Sequence, residues 1–212
     1  MKISILFDNT SAKPGIKEDW GFSCFVETGK RNILFDTGAD GELLLENMRK
    51  LSIDPKQVDD IFISHNHFDH IGGLSAFLNR NNDVRIFVPK DLLGIRKARE
   101  IIYVNKAMQL DEGMFSTGTL EEIEQSLLLK TNKGLLVIVG CAHPDMNSIL
   151  NAASRFGKVF GIIGGLHGFK QFELFNNLDF ICPTHCTQHN AEIKNLYTKQ
   201  YVDGGAGTII SI

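Results

Sequence analysis

No apolar run in the chain approaches the roughly 20 residues that a helix needs to cross a bilayer. The opening MKISILFDNT carries too short an apolar stretch for a secretory signal. Export and membrane partners are therefore not expected, and a cytoplasmic location is. Cysteine is sparse as well. Cys24, Cys141, Cys182 and Cys186 form no CxxC pair and no regular framework. Reduced thiols are expected rather than a disulfide scaffold. Charge of one sign is not in excess: the formal net charge of -3 gives no global pull toward nucleic acid or anionic lipid. There is no fixed-period repeat, low-complexity tract or Pro/Ser-rich linker in the 212 residues. A single domain over 1–212 is the expectation, with nucleic acid absent from its partners.

What is present is a chain of short apolar segments. KISILF (2–7) alternates as a strand does, and GFSCFVET (21–28) and NILFD (32–36) read as a hairpin around Gly29 and Lys30. GELLLENMRKL (41–51) has helical spacing, with Leu44, Met48 and Leu51 on one face. A buried strand at 60–64, a helix at 72–80 and a strand at 84–89 follow. A helix through about 91–100 and short extended pieces up to 118 complete the first half. EQSLLLKT and GLLVIVG flank Asn132, Lys133 and Gly134 as a second hairpin. Helices are then expected at 146–156, 169–178 and 189–199, alternating with strands at 159–165, 179–183 and 207–212. Hairpins first and alternation later point to a layered α/β protein with mixed sheets.

The densest chemistry is in IFISHNHFDHIGGL, residues 61–74. His65, His67, Asp69 and His70 crowd onto one turn just past a strand. His143 follows LLVIVG, His167 follows FGIIGG, and His185 follows DFICP. Four separate strands thus deliver histidine just past their carboxyl ends, where layered α/β folds gather ligand sites. Only His189 lies outside this pattern, as a capping or surface residue. His65 and His67 are two apart and point the same way in extended backbone, and Asp69 and His70 come as the chain turns. That suits two groups of ligands aimed at neighbouring points, unlike an HExxH pair, which needs a helical turn. Any one of these histidines alone reads as a cap or surface residue; the set together reads as a metal centre. Imidazole and carboxylate suit one or two Zn²⁺, with Mn²⁺ or Fe²⁺ as alternatives.

HNHFDH is the HxHxDH signature of the metallo-β-lactamase superfamily, which this chain resembles over nearly its whole length. ILFDTG stands upstream, and GCAHPDMNSIL, GGLHGF and PTHCT stand downstream in the expected order. With LFDNT and GFSCFVE, these blocks resemble one branch of metal-dependent hydrolases in particular. That branch includes the dihydropterin–ribofuranosylaminobenzene 5′-phosphate synthases. The resemblance implies a four-layer αββα sandwich with two mixed sheets. It implies His65, His67 and His143 at a first metal and Asp69, His70 and His185 at a second. Many members carry an aspartate bridging both metals; here GGLH puts His167 near that place, as a ligand, a general acid or a contact to substrate phosphate. Asp36 in LFDTG reads either as a carboxylate that orients a ligating histidine or as a turn-former. Asp8 and Asn9 in LFDNT carry the same two readings. Cys141 and Cys186 read as small pocket-lining residues.

The expected activity is a metal-dependent hydrolase acting through a metal-bound hydroxide on a phosphoester or related small molecule, with Asp69 and His167 as its catalytic residues. The resemblance also implies an alternative: a transferase that joins a dihydropterin to an aminobenzene ribose phosphate and releases pyrophosphate. A non-catalytic metal-binding domain is a third reading. Lys90, Arg96, Lys97, Arg99 and Lys106 read either as a phosphate-attracting segment or as a solvated helix face.

Overall fold

The computed structural model describes residues 1–212 as two compact units, Met1–Tyr103 with Gly204–Ile212 and Val104–Asp203. Each unit holds one sheet with helices against it.

In the first unit β1 (Lys2–Phe7), β2 (Ser23–Glu27) and β3 (Asn32–Phe35) form an antiparallel meander. β4 (Asp60–Phe62), β5 (Arg85–Val88) and β6 (Glu100–Tyr103) then add in parallel. β13 (Ile209–Ser211) closes the other edge against β1, so the strand order is β13-β1-β2-β3-β4-β5-β6. Leu6, Phe25, Leu34, Ile61, Ile63, Ile86 and Val88 bury one face of the sheet. Against it lie Leu44 and Met48 of α1 (Gly41–Lys50), followed by Phe77 and Leu78 of α3 (Leu74–Leu78). Asp40 caps α1 by accepting from the Leu43 N–H, and Glu42 and Lys50 sit at the ends that the helix dipole favours. Between α1 and α3 comes the short α2 (Phe68–Ile71), which carries Asp69 and His70. The paired glycines after it have a steric reason. A Cβ on Gly72 would lie 2.1 Å from the Ala39 carbonyl oxygen, and one on Gly73 2.3 Å from that of Thr37. The IGG sequence therefore lets the signature turn sit directly on the loop after β3.

In the second unit β7 (Met108–Asp111), β8 (Met114–Ser116), β9 (Leu127–Thr131) and β10 (Gly134–Val139) are antiparallel neighbours. β11 (Val159–Gly165) and β12 (Phe180–Thr184) continue in parallel, giving the order β12-β11-β10-β9-β8-β7. Leu128, Val137, Val139, Ile162 and Ile181 pack with Met146 and Ile149 of α4 (Met146–Ser154) and Ile193 of α5 (Asn190–Leu196). Both sheets are mixed, as expected, and the alternate residues Phe35, Phe62, Leu136 and Ile163 are buried too. The strands therefore read as near-continuous apolar runs.

Two sequence expectations are corrected. Residues 91–100 contain no helix. Gly94 takes φ +87, a left-handed conformation that ends helical periodicity, and the segment leads instead into β6. The helix expected over 169–178 shrinks to one 3₁₀ turn, Phe172–Phe175, because Phe169, Phe172 and Phe175 all turn into the core cluster. No helix is long and apolar enough to cross a membrane.

Asp60 anchors the amino-terminal end of the parallel strands. Its carboxylate is fully buried and bridges Arg31 (3.0 and 3.1 Å) and Arg85 (2.7 and 2.9 Å) through paired hydrogen bonds. Such charge-assisted forks are strong, and removing the shared anion leaves two neighbouring cations uncompensated. Asp60→Ala is expected to cost about 3 kcal/mol of unfolding free energy in a denaturant titration. A loss below about 0.5 kcal/mol, the range of ordinary surface changes, contradicts this.

Candidate metal centre

Every sequence-expected site residue except Asp69 and His70 lies just beyond a strand of the two sheets; Asp69 and His70 lie within α2. In the first unit the organising group is Asp36, fully buried at the end of β3 with φ +50. Its Oδ1 accepts the Ser64 N–H at 2.7 Å. Its Oδ2 meets Ser64 Oγ at 2.6 Å and His70 Nδ1 at 2.7 Å. A carboxylate is acceptor-only, so Ser64 Oγ and His70 Nδ1 both donate to it. With its proton committed to Asp36, Ser64 Oγ accepts from His65 Nδ1 at 2.9 Å. One carboxylate thus fixes two imidazoles as Nδ1–H tautomers, each presenting an Nε2 lone pair. Of the two readings of Asp36, the geometry is that of an orienting group.

The lone pairs converge. His65 Nε2 lies 3.0 Å from His67 Nδ1, and the His65 ring centroid lies 4.2 Å from that of His70. Asp69 Oδ2 lies 3.9 Å from His70 Nε2. His65 and His70 are fully buried and Asp69 nearly so, whereas His67 is exposed. Packing several nitrogen donors and a carboxylate this tightly, with their outer sides tied down, suits a divalent cation. Asp8 and Asn9 bond within their loop: Asp8 Oδ1 accepts from Thr10 N–H, and Asn9 Oδ1 from Gly21 N–H.

The second unit repeats the device with a different acid. Glu124 is 1 % exposed, and its Oε1 accepts backbone N–H bonds from Gly140, Cys141 and Ala142 at 2.9, 3.0 and 3.2 Å. Its Oε2 accepts the His143 N–H at 3.0 Å. Four amides of the loop that delivers His143 therefore converge on one buried carboxylate. His143 and His167 rings lie 5.3 Å apart. His167 (φ +44) and His185 (φ +50) both take left-handed backbone, an unusual choice for histidine. That strain is held by cross-bonds between their loops. Gln188 N–H donates to the His167 carbonyl and Leu166 N–H to Thr187 Oγ1. Strain kept by its surroundings is common at functional sites. A cavity of about 270 Å³ opens beside them, lined by His143, His167, Lys170 and Gln171 among others.

Two residues escaped the sequence reading. Glu124 sits in EEIEQS, where nothing marks it from a solvated acid. Trp20 donates its Nε1–H to Asp69 Oδ2 at 2.9 Å while its side chain stays half exposed. His189 precedes α5 without a side-chain capping bond and meets Glu192 at 3.1 Å. That pairing holds the Glu192 carboxyl below its ordinary value. Of the basic segment, Lys97 is bound to Asn79 and Arg99 to Asp83.

These features belong to a known class. Residues 21–143 match the family model of the metallo-beta-lactamase superfamily, and the chain belongs to that superfamily. A solved metal-dependent hydrolase of the beta-lactamase superfamily superposes with a TM-score of 0.81 at 25% identity, covering 100% of this chain and 99% of that one. The 7,8-dihydropterin-6-methyl-4-(beta-D-ribofuranosyl)-aminobenzene-5'-phosphate synthase of Methanocaldococcus jannaschii is 27% identical over 237 residues, 81% of this chain and 80% of that protein. The branch resemblance read from the sequence blocks agrees with it. Human tRNase Z, short form, superposes with a TM-score of 0.64 at 14% identity over 100% of this chain and 99% of that one, a likeness of fold alone.

Glu124→Gln keeps the size of the side chain but turns one acceptor oxygen into a donor. Hydrogen bonds to a charged group are worth about 1.5–3 kcal/mol, so amide exchange at 140–143 is expected to speed up by about tenfold or more. The β10 amides should keep their protection; unchanged exchange at 140–143 would contradict the anchoring role.

Proposed function

We propose that this protein is a metal-dependent hydrolase of phosphoesters or related small molecules. His65, His67 and His143 serve one metal position, and Asp69, His70 and His185 a second. The observation that carries the reading is the tautomer-fixing network of Asp36, Ser64, His65 and His70, which turns imidazole lone pairs onto a common point. The family and the likeness to a metal-dependent hydrolase support it. One or two Zn²⁺ suit this donor set, with Mn²⁺ or Fe²⁺ as alternatives. A divalent cation there supplies Lewis acidity and lowers the pKa of water to about 7.

The protein's own groups divide the remaining work. Asp69, steadied by the Trp20 indole N–H, orients the attacking water. His67 is the exposed member of the cluster and sets the edge that substrate approaches. His167, beside Lys170 in the polar cavity, contacts phosphoryl oxygens and offers a proton to the leaving group. A small, phosphorylated molecule suits this cavity better than nucleic acid, since Lys97 and Arg99 of the basic segment are bound to neighbouring side chains. The proposed location is the cytoplasm.

A second reading has one specific support, the relative in Methanocaldococcus jannaschii named as a synthase. On that reading the same centre joins a dihydropterin to an aminobenzene ribose phosphate, with pyrophosphate as the product that marks it.

Metal analysis of the purified protein, followed by phosphodiesterase and phosphomonoesterase panels and a pyrophosphate assay with both synthase substrates, separates the readings. Metal-dependent ester turnover is expected, falling by at least about 10²-fold in His65→Ala and Asp69→Ala with the fold retained. Turnover unchanged in either variant rejects the hydrolase. Asp36→Asn, which removes the orienting carboxylate while keeping its size, is expected to weaken metal binding by about 10–100-fold. An affinity equal to the parent's would remove Asp36 from the account.

A further inference from the structure

Within the second unit, two thiols that the proposed hydrolase does not use meet the His185 imidazole. Cys141 follows β10, and His185 and Cys186 follow β12. One ligand atom from each of the three lies within 4.8 Å of the other two. β11 runs between β10 and β12, so these strand ends should be kept apart by whatever residue closes β11. That residue is Gly165. A Cβ there would lie 2.4 Å from the Gly140 oxygen, 2.7 Å from Cys186 Sγ and 3.3 Å from Cys141 Cα. The missing side chain is the space that Cys186 Sγ occupies on its way to Cys141. Two further features hold the group. Glu124 accepts the Cys141 N–H and fixes that residue, which is 3 % exposed. His185 takes φ +50, which breaks the strand alternation that would send His185 and Cys186 to opposite faces.

We propose that Cys141, His185 and Cys186 form a binding site for a thiophilic divalent cation of the Zn²⁺ and Cd²⁺ class. Two thiolates and one imidazole are a soft donor set, matched to such ions rather than to Mg²⁺, Ca²⁺ or Mn²⁺. Three protein ligands leave the fourth tetrahedral position to solvent. Binding releases two protons, one from each thiol, and the bound ion with two thiolates is neutral overall. Cys24 and Cys182 are fully buried within strands and stand outside the set. The site needs no donor from the first unit. It does use His185, so a cation held here withdraws that imidazole from the set proposed with Asp69 and His70. A thiophilic ion in excess therefore acts as an inhibitor of the proposed turnover.

Co²⁺ added to the full-length, metal-free, reduced protein tests this directly, because thiolate ligation gives an intense near-ultraviolet charge-transfer absorption that imidazole and carboxylate ligands do not. The band is expected in the parent protein, weaker in Cys141→Ser and in Cys186→Ser, and lost in the double variant. It should also weaken in Gly165→Ala, whose new methyl group fills the cradle of Cys186 Sγ. It should persist in His65→Ala, which removes a donor of the proposed hydrolytic centre and leaves these three residues intact. That arm separates the two proposals: a band without turnover leaves this site standing, and turnover without a band leaves only the hydrolase. Cobalt bound with weak visible absorption alone, or a band that survives the double variant, overturns the site.

Discussion

A buried carboxylate with three donors around it sets most of the first unit's geometry. Asp36 can keep its charge away from water only because Ser64 N–H, Ser64 Oγ and His70 Nδ1 all point at it. Those bonds tie the end of β3 to the end of β4 and to α2, and they dictate which nitrogen of each imidazole carries a proton. The left-handed backbone at Asp36 and the two glycines after α2 follow from the same demand. The loop after β3 must lie against the signature turn closely enough for the carboxylate to reach across.

The second unit solves a similar problem with backbone amides. Strands β10, β11 and β12 end in loops whose N–H groups have no ladder partner, and burying them costs free energy unless an acceptor is supplied. Glu124 supplies it for residues 140–143, and Thr187 and the His167 carbonyl do so for the loops after β11 and β12. Histidines placed on such loops have little freedom left. A ligand set whose orientation is fixed before binding loses less entropy when a cation arrives.

Much of this was legible in the sequence, for a physical reason. Strands buried on both faces leave apolar runs such as ISILF and LLVIV, and a residue just past such a run must sit at a sheet edge. His65, His143, His167 and His185 could therefore be placed before any coordinates. Periodicity failed where side chains and backbone disagreed. Residues 91–100 have the composition of a helix, yet Gly94 adopts a conformation a helix excludes. Residues 169–178 carry phenylalanines at helical spacing, but the core draws three of them inward at once. Glu124 and Trp20 were invisible because their roles come from contacts across 16 or more residues, which no local pattern records. Cys141 and Cys186 read as lining residues because the neighbouring imidazoles already fill both expected metal sites.

The proposed function rests on a divalent cation held by the imidazoles whose tautomers Asp36 and Ser64 fix. Anomalous X-ray scattering from crystals of the zinc-loaded protein tests it most directly. Anomalous density coordinated by side chains of the set His65, His67, Asp69 and His70 is expected. Zinc found only at unrelated surface residues, with these side chains turned away from any metal, would contradict it.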